Sequence, residues 1–139
     1  MRKTEPAARP LRYRRLWQGL CWAMVATVAC LSLTPNPPQP PALLSWDKAQ
    51  HTVAYAGLMF WFRMAFERHW RWPVFMLALG VGLEVLQGLG GVRTMDWRDM
   101  VANSVGVVMG LGIAWTRVGN SLTGVERLIE PRDIRERRI

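Results

Sequence analysis

Residues 96–115 read DWRDMVANSVGVVMGLGIAW. The first third is polar and the rest is apolar. Asp96, Asp99 and Asn103 follow a three-then-four spacing, which places them on one face of a helix. Gly106 and Gly110 continue that face, where small residues let a second helix approach closely. The apolar remainder runs to Trp115, and Arg117 ends it. This pattern predicts a membrane span, from about Asp99 to Trp115, that carries a polar stripe at one end only.

Three more apolar runs precede it. They extend from Leu16 to Leu33, from about Lys48 to Phe66, and from Pro73 to about Leu89. At about 1.5 Å per residue each crosses most of a hydrocarbon layer of roughly 30 Å. The segment Pro35-Asn36-Pro37-Pro38-Gln39-Pro40-Pro41 ends the first run as a stiff loop. Pro73 suits a first helical turn, and Gly88, Gly90 and Gly91 suit a helix exit. The expected fold is therefore all-α, an integral membrane bundle of four transmembrane helices. A basic segment of residues 1–15 precedes it and a basic tail of residues 117–139 follows.

Charge placement gives the orientation. Of 18 Lys and Arg residues, six precede the first run: Arg2, Lys3, Arg9, Arg12, Arg14 and Arg15. Arg63, Arg68 and Arg71 lie between runs two and three, and Arg117, Arg127, Arg132, Arg135, Arg137 and Arg138 follow run four. The other two connections hold only Lys48, Arg93 and Arg98. The excess of basic residues on one side places both termini and the middle connection in the cytoplasm. The same placement argues against nucleic acid as a partner, because the basic residues flank spans and form no binding face. Membrane lipids are the expected surroundings. Cys21 and Cys30, nine residues apart, point to opposite faces of one helix and read as small hydrophobes. Thr27-Val28-Ala29-Cys30 hints at a lipoprotein cleavage site, but Thr27 stands where a bulky aliphatic residue is usual, so an uncleaved helix is preferred.

With this orientation three polar stripes meet on the outer side. Asp47, His51 and Tyr55 are spaced by four on run two, with Lys48 beside them. Glu84 and Gln87 are spaced by three on run three, and Arg93 follows in the outer connection. Asp96, Asp99 and Asn103 open run four. Ionisable groups at such depths are costly unless partnered or functional. One reading makes them a set of pairs that fixes helix register: Lys48 or Arg93 with Asp96 or Asp99, and Glu84 with His51 or Gln87. In it Asp47 and Asp99 also cap their helices. The preferred reading makes them an outward pocket. His51, Glu84 and Asp99 are its catalytic candidates, and Asp47, Lys48, Tyr55, Gln87, Arg93, Asp96 and Asn103 its substrate-binding candidates.

At these residues the chain resembles the VanZ-like family of small polytopic bacterial membrane proteins. The resemblance rests on Asp47-Lys48 with His51 and Tyr55, Glu84 with Gln87, Arg93 with Asp96 and Asp99, and Asn103 with Gly106 and Gly110. It covers roughly residues 16–116. The family is named for a protein linked to resistance against the glycopeptide teicoplanin, which acts on peptidoglycan precursors outside the membrane. An outward site fits such envelope chemistry, and the residues suit binding or modifying a lipid-linked precursor, with Arg93 and Lys48 on phosphate, His51 and Glu84 moving protons, and Asp96 or Asp99 orienting His51. Two alternatives stand beside it. One is a non-catalytic subunit or assembly partner of an envelope protein. The other is a metal-assisted hydrolase using His51, Glu84, Asp96 and Asp99. The chain has no short paired-ligand motif such as H-E-x-x-H. No metal site or cofactor is assigned.

Overall fold

The computed structural model describes residues 11–36, 46–66, 69–91 and 94–129, and every regular element among them is helical. Four long helices follow one another: α1 (Arg14–Leu33), α2 (Asp47–Ala65), α3 (Arg71–Leu89) and α4 (Trp97–Ala114). A 3-10 turn (Arg117–Asn120) then leads into a short α5 (Ser121–Ile129). Each long helix begins within two residues of the position expected for its span.

The ends of the helices follow from local chemistry. α3 carries Pro73 in its first turn, where a missing amide donor costs nothing. Its first amides are met by His69, whose Nδ1 accepts from the Arg71 N–H at 3.2 Å. Gly91, at φ 63°, takes the left-handed conformation that ends α3. α4 is capped by Asp96, whose side chain accepts from the Arg98 N–H at 2.9 Å. The expected capping roles of Asp47 and Asp99 are not seen. Trp46 and Asp96 hold the cap positions, and Asp47 and Asp99 stand within the first turns behind them.

α2 is the centre of the bundle and packs most extensively against α4. Glycine is the reason. A methyl group at Gly106 would collide with the Thr52 carbonyl oxygen, and one at Gly110 with the Ala56 carbonyl oxygen. The two backbones therefore lie in direct contact, and the Thr52 hydroxyl donates to the Ala102 carbonyl across the same seam at 3.3 Å. In an apolar surrounding such close packing replaces the hydrophobic drive that water would supply. Trp17, Cys21 and Val25 of α1, Leu58, Met59 and Phe62 of α2, Met76 of α3, Val107 of α4 and Leu122 of α5 form one core.

The two ends of α2 differ in chemistry. At its C-terminal end Phe62 and Phe66 gather with Trp22, Trp72 and Phe75, the closest ring pair being Phe66 and Trp72 at 4.4 Å. At its N-terminal end stand Asp47, Lys48 and His51. The outward faces are apolar instead of polar: Leu16, Leu31, Val81, Leu86, Val101, Val105 and Val108 are all exposed. Such a surface suits lipid and not water.

α1 and α3 are each long and apolar enough to cross a membrane. α4 joins them if it is counted with the segment Arg117–Ile129, from which it is bent by 74°. α2 has the length but is less apolar, because Asp47, Lys48, His51 and Arg63 fall within it. The described part of the segment expected to be a basic tail, residues 117–129, is helical. α5 sends Leu122 into the core and Glu126 onto the start of α1. Residues 130–139 lie outside the described residues, as do 1–10 and the Pro-rich stretch 37–45.

Candidate functional site

The N-terminal ends of α2 and α4 lie side by side, so the two stripes read from sequence face each other. Lys48 on α2 reaches across to both acids of α4. Its Nζ donates to Asp96 Oδ2 at 2.7 Å and also to Asp99 Oδ1. Asp47 Oδ2 stands 3.8 Å from the same ammonium. Asp96 lies outside the helices at the rim. The adjacent Lys48 and the Arg98 amide hold its carboxyl below the usual carboxylate range. Asp99 is only 3% exposed, and Lys48 is its hydrogen-bond donor.

His51 sits one turn deeper. Its Nδ1 lies 3.0 Å from Asn103 Oδ1. Asparagine oxygen only accepts, so Nδ1 carries a proton, and Nε2 faces the cluster. There Nε2 meets Asp99 Oδ2 at 3.7 Å and Asp47 Oδ1 at 4.0 Å. A proton arriving at Nε2 would thus find two carboxylate oxygens beside it. Asn103 is itself buried, and Gly80 of α3 leaves the room its amide needs. Three helices therefore fix one imidazole.

Glu84 takes a different partner from those expected. It is 2% exposed and accepts the Asp96 backbone N–H through Oε1 at 2.6 Å. α3 is thereby tied to the connection that enters α4, next to the cluster but not within it. Gln87 turns the other way and donates to the Ser32 carbonyl of α1 at 2.6 Å. Tyr55 lies a turn below His51, buried, with its ring edge near Gly80, and its hydroxyl has no hydrogen-bond partner among the described residues. Arg93 lies outside the described residues. Of the ten candidates, Asp47, Lys48, His51, Asp96, Asp99 and Asn103 thus come together directly, and Glu84 joins them through a backbone amide.

A second polar centre, at the opposite end, has no counterpart in the sequence reading. Glu126 of α5 accepts from the Arg12 N–H at 2.8 Å, the Tyr13 N–H at 2.9 Å and the Trp17 indole N–H at 2.8 Å. Burial pushes its carboxyl up, but these donors outweigh burial and hold it below the usual range. Glutamate in a mostly basic tail carries no periodic signal. Only the fold, by bringing residues more than a hundred positions apart into contact, reveals it.

Fold and site together define a small all-α membrane protein with a polar cluster at one end of its central helix pair. The VanZ/LLP1 family model matches residues 11–118, and the chain belongs to that family. The matched region takes in α1 through α4 and so contains the whole cluster. No curated protein and no solved structure matches the chain.

Proposed function

We propose that this protein crosses the bacterial cytoplasmic membrane four times with both termini inside, and that its polar cluster binds or modifies the headgroup of a lipid-linked envelope precursor at the outer face. The basic residues flanking the helices support the orientation, since fifteen of the 18 fall on one side. On this reading α2 and α4 are spans whose lower hydropathy reflects the site they carry.

One observation carries the reading. His51 is held by Asn103 with Nε2 turned toward Asp47 and Asp99, an arrangement that accepts a proton from a hydroxyl or receives its hydrogen bond. The described part of the cluster is rich in acceptors, which suits the hydroxyl groups of a sugar or polyol headgroup. Lys48 is already balanced by two carboxylates. The share of phosphate binding given to it therefore passes to Arg93, whose planar guanidinium suits a diphosphate. Asp99 positions His51, and Glu84 fixes the connection on which Asp96 stands.

The test is binding of a polyprenyl-diphosphate-linked saccharide to the full chain in lipid nanodiscs, read by native mass spectrometry. Wild-type protein binds it, and His51→Ala and Arg93→Ala lose binding while keeping the wild-type helical content. Equal binding by His51→Ala would reject the assigned site.

A further inference from the structure

Asp47, His51 and Asp99 present three metal-ligating atoms to one point. His51 Nε2 lies 3.7 Å from Asp99 Oδ2 and 4.0 Å from Asp47 Oδ1, and one ligand atom from each of the three residues lies within 4.8 Å of the other two. Ligands bound to one tetrahedral zinc at about 2.1 Å stand about 3.4 Å apart. Small rotations of the three side chains would bring them to that spacing.

We infer that Asp47, His51 and Asp99 form a site for a divalent transition-metal ion, with zinc the best match. This rests on the reading of the cluster as the working site, and with an ion held on Nε2 the headgroup hydroxyl would meet the ion in place of the imidazole nitrogen. Two features separate it from a group of paired acids. First, Lys48 does not stand at the convergence point. It binds the other oxygen of Asp99, Oδ1, and faces the other oxygen of Asp47, Oδ2. The oxygens turned toward His51 are Asp99 Oδ2 and Asp47 Oδ1. Second, Asn103 takes Nδ1 of His51, which leaves the Nε2 lone pair for a cation. Each ligand is thus oriented through its far atom by a group that does not itself ligate, as outer-shell partners do in metal sites.

Ligand chemistry and access agree with this. An imidazole ligand favours zinc over manganese, magnesium or calcium. Three protein ligands leave a position open, and Asp47 stands at the rim where a headgroup oxygen could reach it. The ligand set differs from the one expected from sequence. Asp96 is taken by Lys48 and the Arg98 amide, and Glu84 by the Asp96 amide.

The full chain, purified in detergent and stripped with EDTA, is titrated with zinc chloride and its bound metal measured by elemental analysis. One zinc per chain is expected, and cobalt in its place should give the visible absorption of a four-coordinate ion. Asp47→Asn and His51→Gln each weaken zinc binding at least about tenfold, and Asn103→Ala about tenfold through the ring it orients. His69→Ala, at the start of α3, leaves zinc binding unchanged. Absence of zinc uptake, or equal uptake by Asp47→Asn and His51→Gln, overturns the site. Asp47 is at the rim, so its variant keeps the test sound if His51→Gln fails to fold. Headgroup binding that persists in stripped protein with no zinc uptake removes the metal alone. Zinc uptake without headgroup binding removes the proposed function and leaves the metal.

Discussion

Asn103 of α4 holds His51 of α2 by its Nδ1, at 3.0 Å, across a seam where the two backbones touch through Gly106 and Gly110. The bond fixes which ring nitrogen faces the carboxylates, so helix packing and site chemistry are one arrangement. Asn103→Leu keeps the volume but removes the acceptor. Nitrogen-15 spectra of labelled histidine should show the Nδ1–H tautomer in wild-type protein and a mixture in the variant. A single unchanged tautomer in Asn103→Leu would show that the ring is oriented by something else.

Lys48 is the cation for a buried carboxylate. Lys48→Met strands Asp99 in a site with little access to water, at a cost of about 3 kcal/mol, toward the lower end for a broken buried pair because Lys48 is partly exposed. Lys48→Met combined with Asp99→Asn should recover part of that loss, since neither charge then remains. Thermal unfolding in detergent measures both, and purely additive losses would argue against the coupling.

The glycines of α4 divide by their surroundings. Alanine at Gly106 or Gly110 must push α4 away from α2 and should cost about 1–3 kcal/mol. Alanine at Gly112, which has open space around it, should be neutral or stabilise by up to about 1 kcal/mol through helix propensity. Thermal midpoints of the three variants provide the comparison, and a loss at Gly112 equal to that at Gly110 would contradict it.

Glu126 gives the fold an acid-sensitive latch. Its carboxyl is held below the ordinary value of 4.5 by the Tyr13 and Arg12 amides and the Trp17 indole, against the opposing effect of burial. A group with a depressed value stabilises the fold above its unfolded-state value and loses that contribution as pH falls through the folded value. Glu126→Gln should therefore lower stability near neutral pH by about 1–3 kcal/mol, since its amide N–H cannot accept. It should also flatten the decline of stability below about pH 5. Thermal midpoints of wild type and variant across pH 3–7 should converge at the acid end.

The polar stripes were legible because helical spacing is a local property. Asp96, Asp99 and Asn103 share a face by arithmetic, and so do Asp47, His51 and Tyr55. The Lys48 pairing with Asp96 and Asp99 followed from opposite charges at one end of the bundle. The partners of Glu84 and Gln87 did not, because the choice lay between side chains and backbone groups. A backbone amide at Asp96 and a carbonyl at Ser32 took them. Glu126 was hidden for a stronger reason. Its donors are the two residues before α1 and Trp17 in its first turn, and no pattern within residues 117–139 points there.

In the proposed topology the cluster at the head of α2 opens outward. Trp46 is exposed beside that cluster, and Trp115 is exposed at the far end of α4. In a chain with Cys21 and Cys30 replaced by serine, Trp46→Cys and Trp115→Cys are treated in intact cells with a membrane-impermeant maleimide. Labelling is expected at position 46, and at position 115 only after the cells are opened. Labelling at 115 but not at 46 in intact cells would place the cluster in the cytoplasm and contradict that topology.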